Sequence, residues 1–225
     1  MIHLKLLTAF RSSVIDYIRS RRVYWKYRHI FEPSVWQVYQ QSSTFNKCRY
    51  FSDFVVEHGV TSVFEFGCAS APNLINIATN VESDVELIGY DINSAAIELA
   101  QTTLPRATFF SDKSKLLQFL ADRNPPCIDL VIFDRVLYLL SNREILNIIS
   151  LLRGKARYIV IDDFHSDRPS ENVNSPYLLR NYIKLFDEYS CLKIEDTQHS
   201  TNHDHALCCA KRIVLESKSY LSKKL

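Results

Sequence analysis

The stretch Val63-Phe64-Glu65-Phe66-Gly67-Cys68-Ala69-Ser70-Ala71-Pro72-Asn73-Leu74 has the pattern of a short buried strand that turns into a helix. The strand carries the acid Glu65, and the turn begins at Gly67, since glycine tolerates the backbone angles that a tight turn requires. Pro72 lies early in the helix, where its missing N–H group leaves no hydrogen bond unmade. Such a turn brings the backbone close to a ligand and presents the free N–H groups of a helix start. The stretch therefore predicts a ligand-binding turn at the carboxyl end of a strand.

Two further predicted strands also end in an acidic residue. The segment Leu87–Asn93 places Asp91 at the end of a second strand, and Thr108–Asp112 places Asp112 at the end of a third. A predicted helix follows each strand, and this alternation predicts a parallel sheet that is covered on both faces. Ligands bind such sheets at the carboxyl ends of the strands, where an acid can accept hydrogen bonds from both hydroxyls of a ribose.

The alternation continues almost to the end of the chain. Apolar runs predict a fourth strand over Ile128–Phe133 and a fifth over Tyr158–Ile161, each covered on both faces. Segments 191–197 and 206–214 follow as strands without a helix between them, so one antiparallel edge strand is expected. We therefore predict an α/β fold with a Rossmann-like, mostly parallel sheet, helices on both faces and an N-terminal helical extension.

Length and composition indicate one domain with appendages. The chain has 225 residues, of which 47% are hydrophobic and only four are glycine, and this excludes collagen-like and wholly disordered proteins. We expect a basic helical extension over 1–43, the main domain over 44–215 and a flexible basic tail over 216–225. The six cysteines form no CxxC pair and do not favour a zinc site. The chain shows no signal-peptide pattern and no membrane-spanning apolar run, so we expect a cytoplasmic protein with reduced thiols.

The first part of the chain is strongly basic. Residues 1–31 contain seven Lys or Arg residues and one acidic residue, and their apolar side chains recur at helical spacing. Such a helix would bind an anionic membrane surface, contact a nucleic-acid or phosphorylated ligand, or lie solvated over the main domain. Peripheral membrane contact is therefore one predicted interaction. Trp25, Trp36 and Tyr39 fit either the cover of an acceptor pocket or ordinary core packing.

At the three acidic strand ends the chain resembles the class I S-adenosylmethionine-dependent methyltransferases. The acidic-x-Gly-x-Gly-x-Gly turn of that family is matched by Glu65–Ala71, with Ala69 and Ala71 in place of its second and third glycines. The resemblance implies S-adenosylmethionine as the cofactor, with Asp91 on its ribose and Asp112 on its adenine. The predicted cofactor-binding residues are Glu65, Gly67, Cys68, Ala69, Asn73, Asp91, Ile92 and Asp112.

The fourth and fifth predicted strands end in residues suited to catalysis. Asp134 ends the fourth, while Asp162, Asp163 and His165 follow the fifth. The three acids resemble the divalent-metal site of catechol-type and sugar O-methyltransferases, and the resemblance implies a magnesium ion that Asp134, Asp162 and Asp163 would hold. Carboxylate oxygens are the ligands that such hard cations prefer. Asp134 is also a candidate catalytic residue.

His165 provides an alternative without a metal. An imidazole titrates near neutral pH and can remove the proton of an acceptor hydroxyl as the methyl group arrives. The run Asp134–Tyr138 lacks the Asp-Gly-Asp-His pattern of the metal-dependent enzymes and looks more like metal-free small-molecule methyltransferases. Asp162 and Asp163 also fit a structural role as caps of the next segment. The sequence leaves the metal, the histidine base and the structural role open.

The predicted acceptor is a sugar or another small hydroxylated molecule, because acidic strand ends suit polyols and the main domain is not basic. One alternative is a nucleic-acid methyltransferase, although Asp134–Leu137 is not the Asn/Asp-Pro-Pro-Tyr/Phe run of adenine-modifying enzymes. A second alternative is a dinucleotide-binding oxidoreductase. A third is a non-catalytic cofactor-binding or scaffold protein, and the two alanines of the turn favour this third alternative. The polar loop Ser166–Pro176 and the histidines His199, His203 and His205 are expected to shape the acceptor side rather than to bind a metal.

Overall fold

A computed structural model describes residues 18, 21–123, 127–166, 178–187, 199–200 and 210–216. The helices are α1 (Arg22–Phe31), α2 (Val35–Gln41), α3 (Asn46–His58), α4 (Pro72–Asn80), α5 (Ser94–Thr103), α6 (Lys113–Ala121), α7 (Asn142–Leu152) and α8 (Tyr182–Asp187). The strands are β1 (Ser62–Phe66), β2 (Glu86–Tyr90), β3 (Thr108–Phe110), β4 (Ile128–Asp134), β5 (Ala156–Phe164), β6 (His199–Ser200) and β7 (Ala210–Glu216). Short 3₁₀ turns cover Ser42–Thr44 and Leu137–Leu139.

The strands form one sheet in the order β3-β2-β1-β4-β5-β7-β6. All neighbours from β3 to β5 are parallel, and β7 pairs antiparallel with both β5 and β6. This arrangement confirms the predicted fold class. After β1 the chain moves outward to β2 and β3 and then returns to β4 on the other side of β1. The strand order therefore reverses between β1 and β4, and a crevice at such a point is the usual place for a ligand.

The sheet is buried on both faces. Phe64 and Phe133 belong to the core on one face, and Val63 and Ile132 belong to the core on the other. Successive side chains of a strand point to opposite faces, so a strand that is covered on both sides needs a continuous apolar run. This explains the uninterrupted apolar sequence at the centre of β4.

Helix ends follow local sequence signals. Gly59 ends α3 with a φ of 59°, which glycine adopts without strain. The Asn93 side chain caps α5 by accepting a hydrogen bond from the N–H of Ala96 at 3.2 Å. Ser141 and Glu144 form a capping box at the start of α7. Each connecting helix returns the chain to the amino end of the next strand, so the polar strand ends gather at one edge of the sheet.

The helices α1 and α2 lie against this carboxyl edge. The side-chain amide of Asn93, just after β2, donates to the backbone carbonyls of Trp25 and Lys26 at 2.9 and 3.0 Å. The hydroxyl of Ser70 donates to the backbone carbonyl of Trp36 at 2.7 Å. The N-terminal helices therefore cover the edge at which the strand-end acids meet.

Several predicted features lie outside the described residues. They are residues 1–17 and 19–20 of the basic segment, the loop 167–177, the strand 191–197, His203, His205 and the tail 217–225. His199 lies in the short strand β6 rather than in the loop predicted for it. Within the described ranges, no helix has the length and apolar character needed to cross a bilayer.

Candidate functional site

A cavity opens at the carboxyl edge of the sheet, where the strand order reverses. Its floor comes from the ends of β1, β2 and β4 and from the turn after β1, and its walls come from α1, α2, the start of α3 and the segment after β4. Eight of the predicted site residues line it: Glu65, Gly67, Cys68, Ala69, Asn73, Asp91, Ile92 and Asp134. Residues from three different strand ends thus meet at one site.

The turn after β1 is tightly packed beneath the cavity. The backbone N–H groups of Gly67 and Cys68 donate to the carbonyl of Tyr90 at 2.7 and 2.9 Å. A side chain at Gly67 would approach the Val136 Cγ2 atom to 2.5 Å, and the φ of 83° at this position favours glycine. Both the backbone angle and the close packing therefore require glycine here.

The two alanines in place of the family's glycines adopt the glycine conformation. The angle φ is 49° at Ala69 and 65° at Ala71, which are left-handed values. The N–H of Ala69 donates to the Asp91 carboxylate at 2.9 Å, and the N–H of Ala71 donates to the carbonyl of Cys68 at 2.7 Å. The turn thus keeps the shape that glycine would allow, with a backbone strain of about 1–2 kcal/mol per alanine.

Asp91 joins the end of β2 to this turn. Its carboxylate accepts hydrogen bonds from the N–H groups of Ala69 at 2.9 Å and Asn93 at 2.8 Å. Burial raises the pKa of Asp91 to about 6, although both hydrogen bonds favour the charged form. The group is therefore ionised at neutral pH, and its remaining lone pairs can accept hydrogen bonds from a hydroxylated ligand in the cavity.

Glu65 on β1 is only 1% exposed. Its Oε1 atom accepts a hydrogen bond from the Asn73 amide at 2.7 Å, whereas its Oε2 atom has no hydrogen-bond donor among the described residues. Burial, with a smaller contribution from the Asp134 charge, raises the pKa of Glu65 to about 8. A buried acid with an unpaired oxygen at a cavity suits a cationic ligand, because a nearby positive charge stabilises the carboxylate.

Lys47 brings a positive charge to the same cavity. Its ammonium group lies 2.6 Å from the Asp134 Oδ1 atom, and the Asp134 Oδ2 atom accepts a hydrogen bond from the Asn73 amide at 3.0 Å. Burial opposes the charge on both groups, but the lysine holds the pKa of Asp134 below its usual value, and Asp134 in turn raises the pKa of Lys47. Both are therefore charged at neutral pH. Polar contacts run from Lys47 through Asp134 and Asn73 to Glu65.

Lys47 is a site residue that motif reasoning misses. It lies in the first turn of α3, away from every strand-end motif. A basic residue in the first turn opposes the helix dipole, and this is a weak signal of a role other than helix stabilisation. Trp25 and Tyr39 also line the cavity, which agrees with their predicted role as a pocket cover. Trp36 is buried in the core, which agrees with the alternative role of core packing.

The predicted metal site at Asp134, Asp162 and Asp163 does not fit the contacts of these residues. Asp162 accepts hydrogen bonds from the Arg212 guanidinium at 2.7 and 3.2 Å and pairs with Arg135 at 3.4 Å. Two guanidinium groups thus bind the carboxylate that a divalent cation would need as a ligand, and their positive charges would repel the cation. No group of three His, Cys, Asp or Glu side chains suited to a metal occurs in the described part of the chain.

Asp163 has a structural role. Its Oδ2 atom accepts hydrogen bonds from the N–H groups of Val136 and Leu137 at 3.0 and 2.7 Å, and its Oδ1 atom accepts one from the N–H of Phe164 at 2.7 Å. Burial raises the pKa of Asp163 to about 7, and the hydrogen bonds oppose this rise. The carboxylate therefore holds the segment after β4, which lies in the cavity wall, instead of capping the segment that follows it in the chain.

Two other predicted site residues do not line the cavity. His165 is 8% exposed, and its Nδ1 atom accepts a hydrogen bond from the backbone N–H of Tyr182 at 3.3 Å. The structure therefore does not place His165 where it would take a proton from an acceptor in the cavity. Asp112 is exposed and caps α6 by accepting a hydrogen bond from the N–H of Ser114 at 2.7 Å. Its contact with adenine stays a prediction.

Comparison with known proteins identifies similar folds. No protein-family model matches the chain, and no curated protein matches it. Among solved structures, the magnesium protoporphyrin IX methyltransferase ChlM from Synechocystis PCC 6803 with bound S-adenosylmethionine has a TM-score of 0.61 and 16% identity, over 87% of this chain and 94% of that chain. The N-methyltransferase NodS from Bradyrhizobium japonicum WM9 has a TM-score of 0.57 and 14% identity, over 82% of this chain and 99% of that chain. An O-methyltransferase of a trans-AT PKS multienzyme from Brevibacillus brevis has a TM-score of 0.57 and 14% identity, over 86% of this chain and 80% of that chain.

These structures share an architecture, and each was solved with S-adenosylmethionine or S-adenosylhomocysteine. NodS and the Brevibacillus enzyme were solved with S-adenosylhomocysteine, and the names of the three include both an O- and an N-methyltransferase. At sequence identities of 14–16%, the structural similarity establishes the fold. Taken with the sheet order and the turn that follows β1, it leads to one conclusion: this chain has the fold of the class I S-adenosylmethionine-dependent methyltransferases.

Proposed function

We propose that the protein is an S-adenosylmethionine-dependent methyltransferase that methylates a hydroxyl group of a small acceptor. The observation that carries the proposal is the pair of cavity acids Glu65 and Asp91, which lie at adjacent strand ends on either side of the turn Gly67–Ala71. The unpaired Glu65 oxygen suits the ammonium group of the cofactor, and Asp91 suits its ribose hydroxyls. Neighbours solved with this cofactor or its product support the choice. The bound cofactor would supply an electrophilic methyl group on a sulfonium.

The cavity wall indicates which acceptor would fit. Its aromatic and aliphatic lining residues are Trp25, Tyr39, Val136, Tyr138, Leu139 and Leu140. Such walls favour an acceptor with an apolar or aromatic body, because burying sugar hydroxyls requires many polar partners. Asp162 and Asp163, which would have supplied some of these partners, do not line the cavity. We therefore favour a phenol-like hydroxyl over a free sugar within the class of small hydroxylated acceptors.

Lys47 is suited to act on the acceptor oxygen. Its ammonium group contacts Asp134 at 2.6 Å, and its side chain is 41% exposed, so further N–H donors remain for a ligand. A charged donor beside the acceptor hydroxyl stabilises the negative charge that develops on oxygen as the proton leaves to solvent. Asp134 would orient the lysine rather than take the proton, because its pKa is held low.

Transfer of a labelled methyl group tests the proposed function. The protein is incubated with S-adenosylmethionine that carries the label and with a panel of phenols, aliphatic alcohols, sugars and amines. We expect label in the hydroxyl compounds, more in phenols than in sugars, together with formation of S-adenosylhomocysteine. Label in amines alone would assign the reaction to nitrogen, and cofactor binding without transfer to any class would favour a non-catalytic protein.

Replacement of Lys47 tests the acceptor side separately. Lys47→Met should lower kcat by about 100-fold and change the Kd for S-adenosylmethionine by less than about twofold, since one donor to a developing oxyanion contributes this much. Arg49→Met is the matched control, because Arg49 lies on the same helix, is 73% exposed and pairs with Asp53. Equal losses of kcat in the two variants, or a loss confined to cofactor binding, would contradict the role of Lys47.

A further inference from the structure

The helix α1 presents an apolar face to solvent. Four of its side chains are strongly exposed, namely Val23 (69%), Tyr27 (42%), Ile30 (62%) and Phe31 (71%). With 3.6 residues per turn, these four positions fall within about 100° around the helix axis. A helix of a globular protein normally buries such a stripe against the core, and a contiguous exposed one marks an interaction surface. We call these four residues the α1 face.

The opposite side of α1 is fixed to the main domain. The Arg28 guanidinium is 7% exposed, pairs with Glu32 at 2.9 Å, and lies 4.8 Å from the centre of the Trp25 ring and 5.2 Å from that of Tyr39. The Asn93 amide holds the backbone carbonyl of Trp25 at 2.9 Å. The helix cannot turn its apolar face inward without breaking these contacts, so the α1 face stays exposed within the part of the chain that the structure describes.

One exposed basic residue borders the α1 face, in a basic part of the sequence. Lys26 is exposed beside it, with its ammonium group 5.2 Å from the centre of the Tyr27 ring. Residues 1–31 carry seven Lys or Arg residues and one acidic residue. An exposed apolar stripe with a basic residue at its edge, in a segment with an excess of Lys and Arg, is the pattern of a helix that lies in the interface of an anionic bilayer. Charge complementarity thus favours lipid headgroups over a neutral or basic partner.

We propose that the α1 face docks on an anionic membrane surface. The four apolar side chains would enter the boundary between headgroups and acyl chains, and Lys26 would meet the lipid phosphates. Arg22 and Trp25 of the same helix line the cavity. Both residues lie on the side of the helix away from the α1 face, so docking would hold α1 between the lipid surface and the cavity. This inference goes beyond the proposed methyl transfer and does not depend on it.

Co-sedimentation of the full chain with lipid vesicles tests the inference. Vesicles of phosphatidylcholine alone are compared with vesicles that also contain phosphatidylserine. We expect affinity to be at least about tenfold higher for the anionic vesicles, because each basic residue near such a surface contributes about fivefold. Added salt should weaken the binding. Equal binding to the two kinds of vesicle, or no binding to either, would overturn the proposal.

Variants locate the contact on the α1 face. Ile30→Ser combined with Phe31→Ser should weaken binding by about 100-fold, since both side chains would lose an apolar environment. Lys26→Glu, a second variant at an exposed position, should weaken it by at least about fivefold. Val56→Ser on α3 is the control, because Val56 is 64% exposed and lies near the amino edge of the sheet, away from the cavity. Unchanged binding in the first two variants, or equal weakening in the control, would refute docking through α1.

A second copy of the chain is the rival occupant of the α1 face. Sedimentation velocity without lipid compares the wild type with the Ile30→Ser, Phe31→Ser variant, and circular dichroism checks that their helix content agrees. We expect both proteins to show the same association state. Self-association that this double substitution abolishes would assign the face to a dimer and overturn the membrane proposal.

Discussion

Backbone strain in the turn beneath the cavity is the most unusual feature at the scale of single residues. Ala69 and Ala71 adopt φ angles of 49° and 65°, which disfavour residues with a Cβ atom. Such strain persists where the surroundings over-determine the backbone. Here Asp91 holds the N–H of Ala69 at 2.9 Å, and the Ala71 methyl group is fully buried. The turn is therefore fixed from both sides and forms a preorganised floor for a ligand.

Replacing the first of these alanines by glycine should stabilise the protein. Ala69→Gly relieves the left-handed strain and is expected to raise the free energy of unfolding by about 1 kcal/mol, after the added flexibility of the unfolded chain is subtracted. Urea denaturation measures the change. Ala71→Gly should raise the free energy of unfolding by less, because this substitution also removes a buried methyl group. A destabilised Ala69→Gly protein would contradict this explanation of the turn.

Proton release on cofactor binding should reveal the role of Glu65. Its pKa is raised to about 8 by burial, so the free protein holds a proton there at neutral pH. An ammonium group beside it would lower this pKa, and binding near pH 7 should therefore release about one proton, so affinity should rise with pH up to about 8. Calorimetry in buffers of different ionisation enthalpy counts the proton. Glu65→Gln should remove this release, and an unchanged proton count in that variant would exclude Glu65 as its source.

At the scale of elements, an acid on β5 holds the segment that follows β4. Asp163 accepts hydrogen bonds from the N–H groups of Val136 and Leu137 at 3.0 and 2.7 Å. Asp163→Ala leaves these buried donors unpaired and should lower the free energy of unfolding by about 2–3 kcal/mol in urea denaturation. Asp112→Ala is the comparison, because it removes an exposed helix cap that contributes about 1 kcal/mol. If both variants lost a similarly small amount of unfolding free energy, Asp163 would not have this role.

The strand ends are the part of the site that sequence alone predicts well. Glu65, Asp91 and Asp134 lie at the ends of apolar runs, and the carboxyl ends of parallel strands meet at one edge of a sheet. The runs do not reveal which charged side chain of another element approaches each acid. Arg212 on β7 reaches Asp162 at 2.7 Å across the antiparallel pair. This tertiary contact turns a predicted metal ligand into one half of a buried ion pair.

At the scale of the whole molecule, the N-terminal helices give a widely shared fold its particular cavity. Lys47, Trp25 and Tyr39 reach the strand ends from elements that precede the sheet in the chain. No local spacing specifies where such helices lie, because their position depends on tertiary contacts such as the one between Ser70 and Trp36 at 2.7 Å. Charge and amphipathic pattern predicted a helix in this region, and its aromatic residues left open whether one side would cover a pocket or only pack in the core.

The same fold serves both O- and N-methyltransferases among the structural neighbours, so function has to be established at the site. We propose above that the cavity binds S-adenosylmethionine through the acids at its strand ends. Two acids at opposite ends of β2 provide a matched test. Asp91 directly follows the carboxyl end of the strand and lines the cavity, whereas Glu86 lies at the amino end and pairs with Arg123.

Calorimetric titration of S-adenosylmethionine into the wild type, Asp91→Ala and Glu86→Ala measures the contribution of Asp91 to cofactor binding. We expect saturable binding to one site in the wild type, and affinity about tenfold to 100-fold lower in Asp91→Ala, because hydrogen bonds to a charged group are lost. Glu86→Ala should bind as the wild type does, and a nicotinamide dinucleotide should not compete. No binding of S-adenosylmethionine, or the same affinity in Asp91→Ala as in the wild type, would show that these strand-end acids do not bind the cofactor.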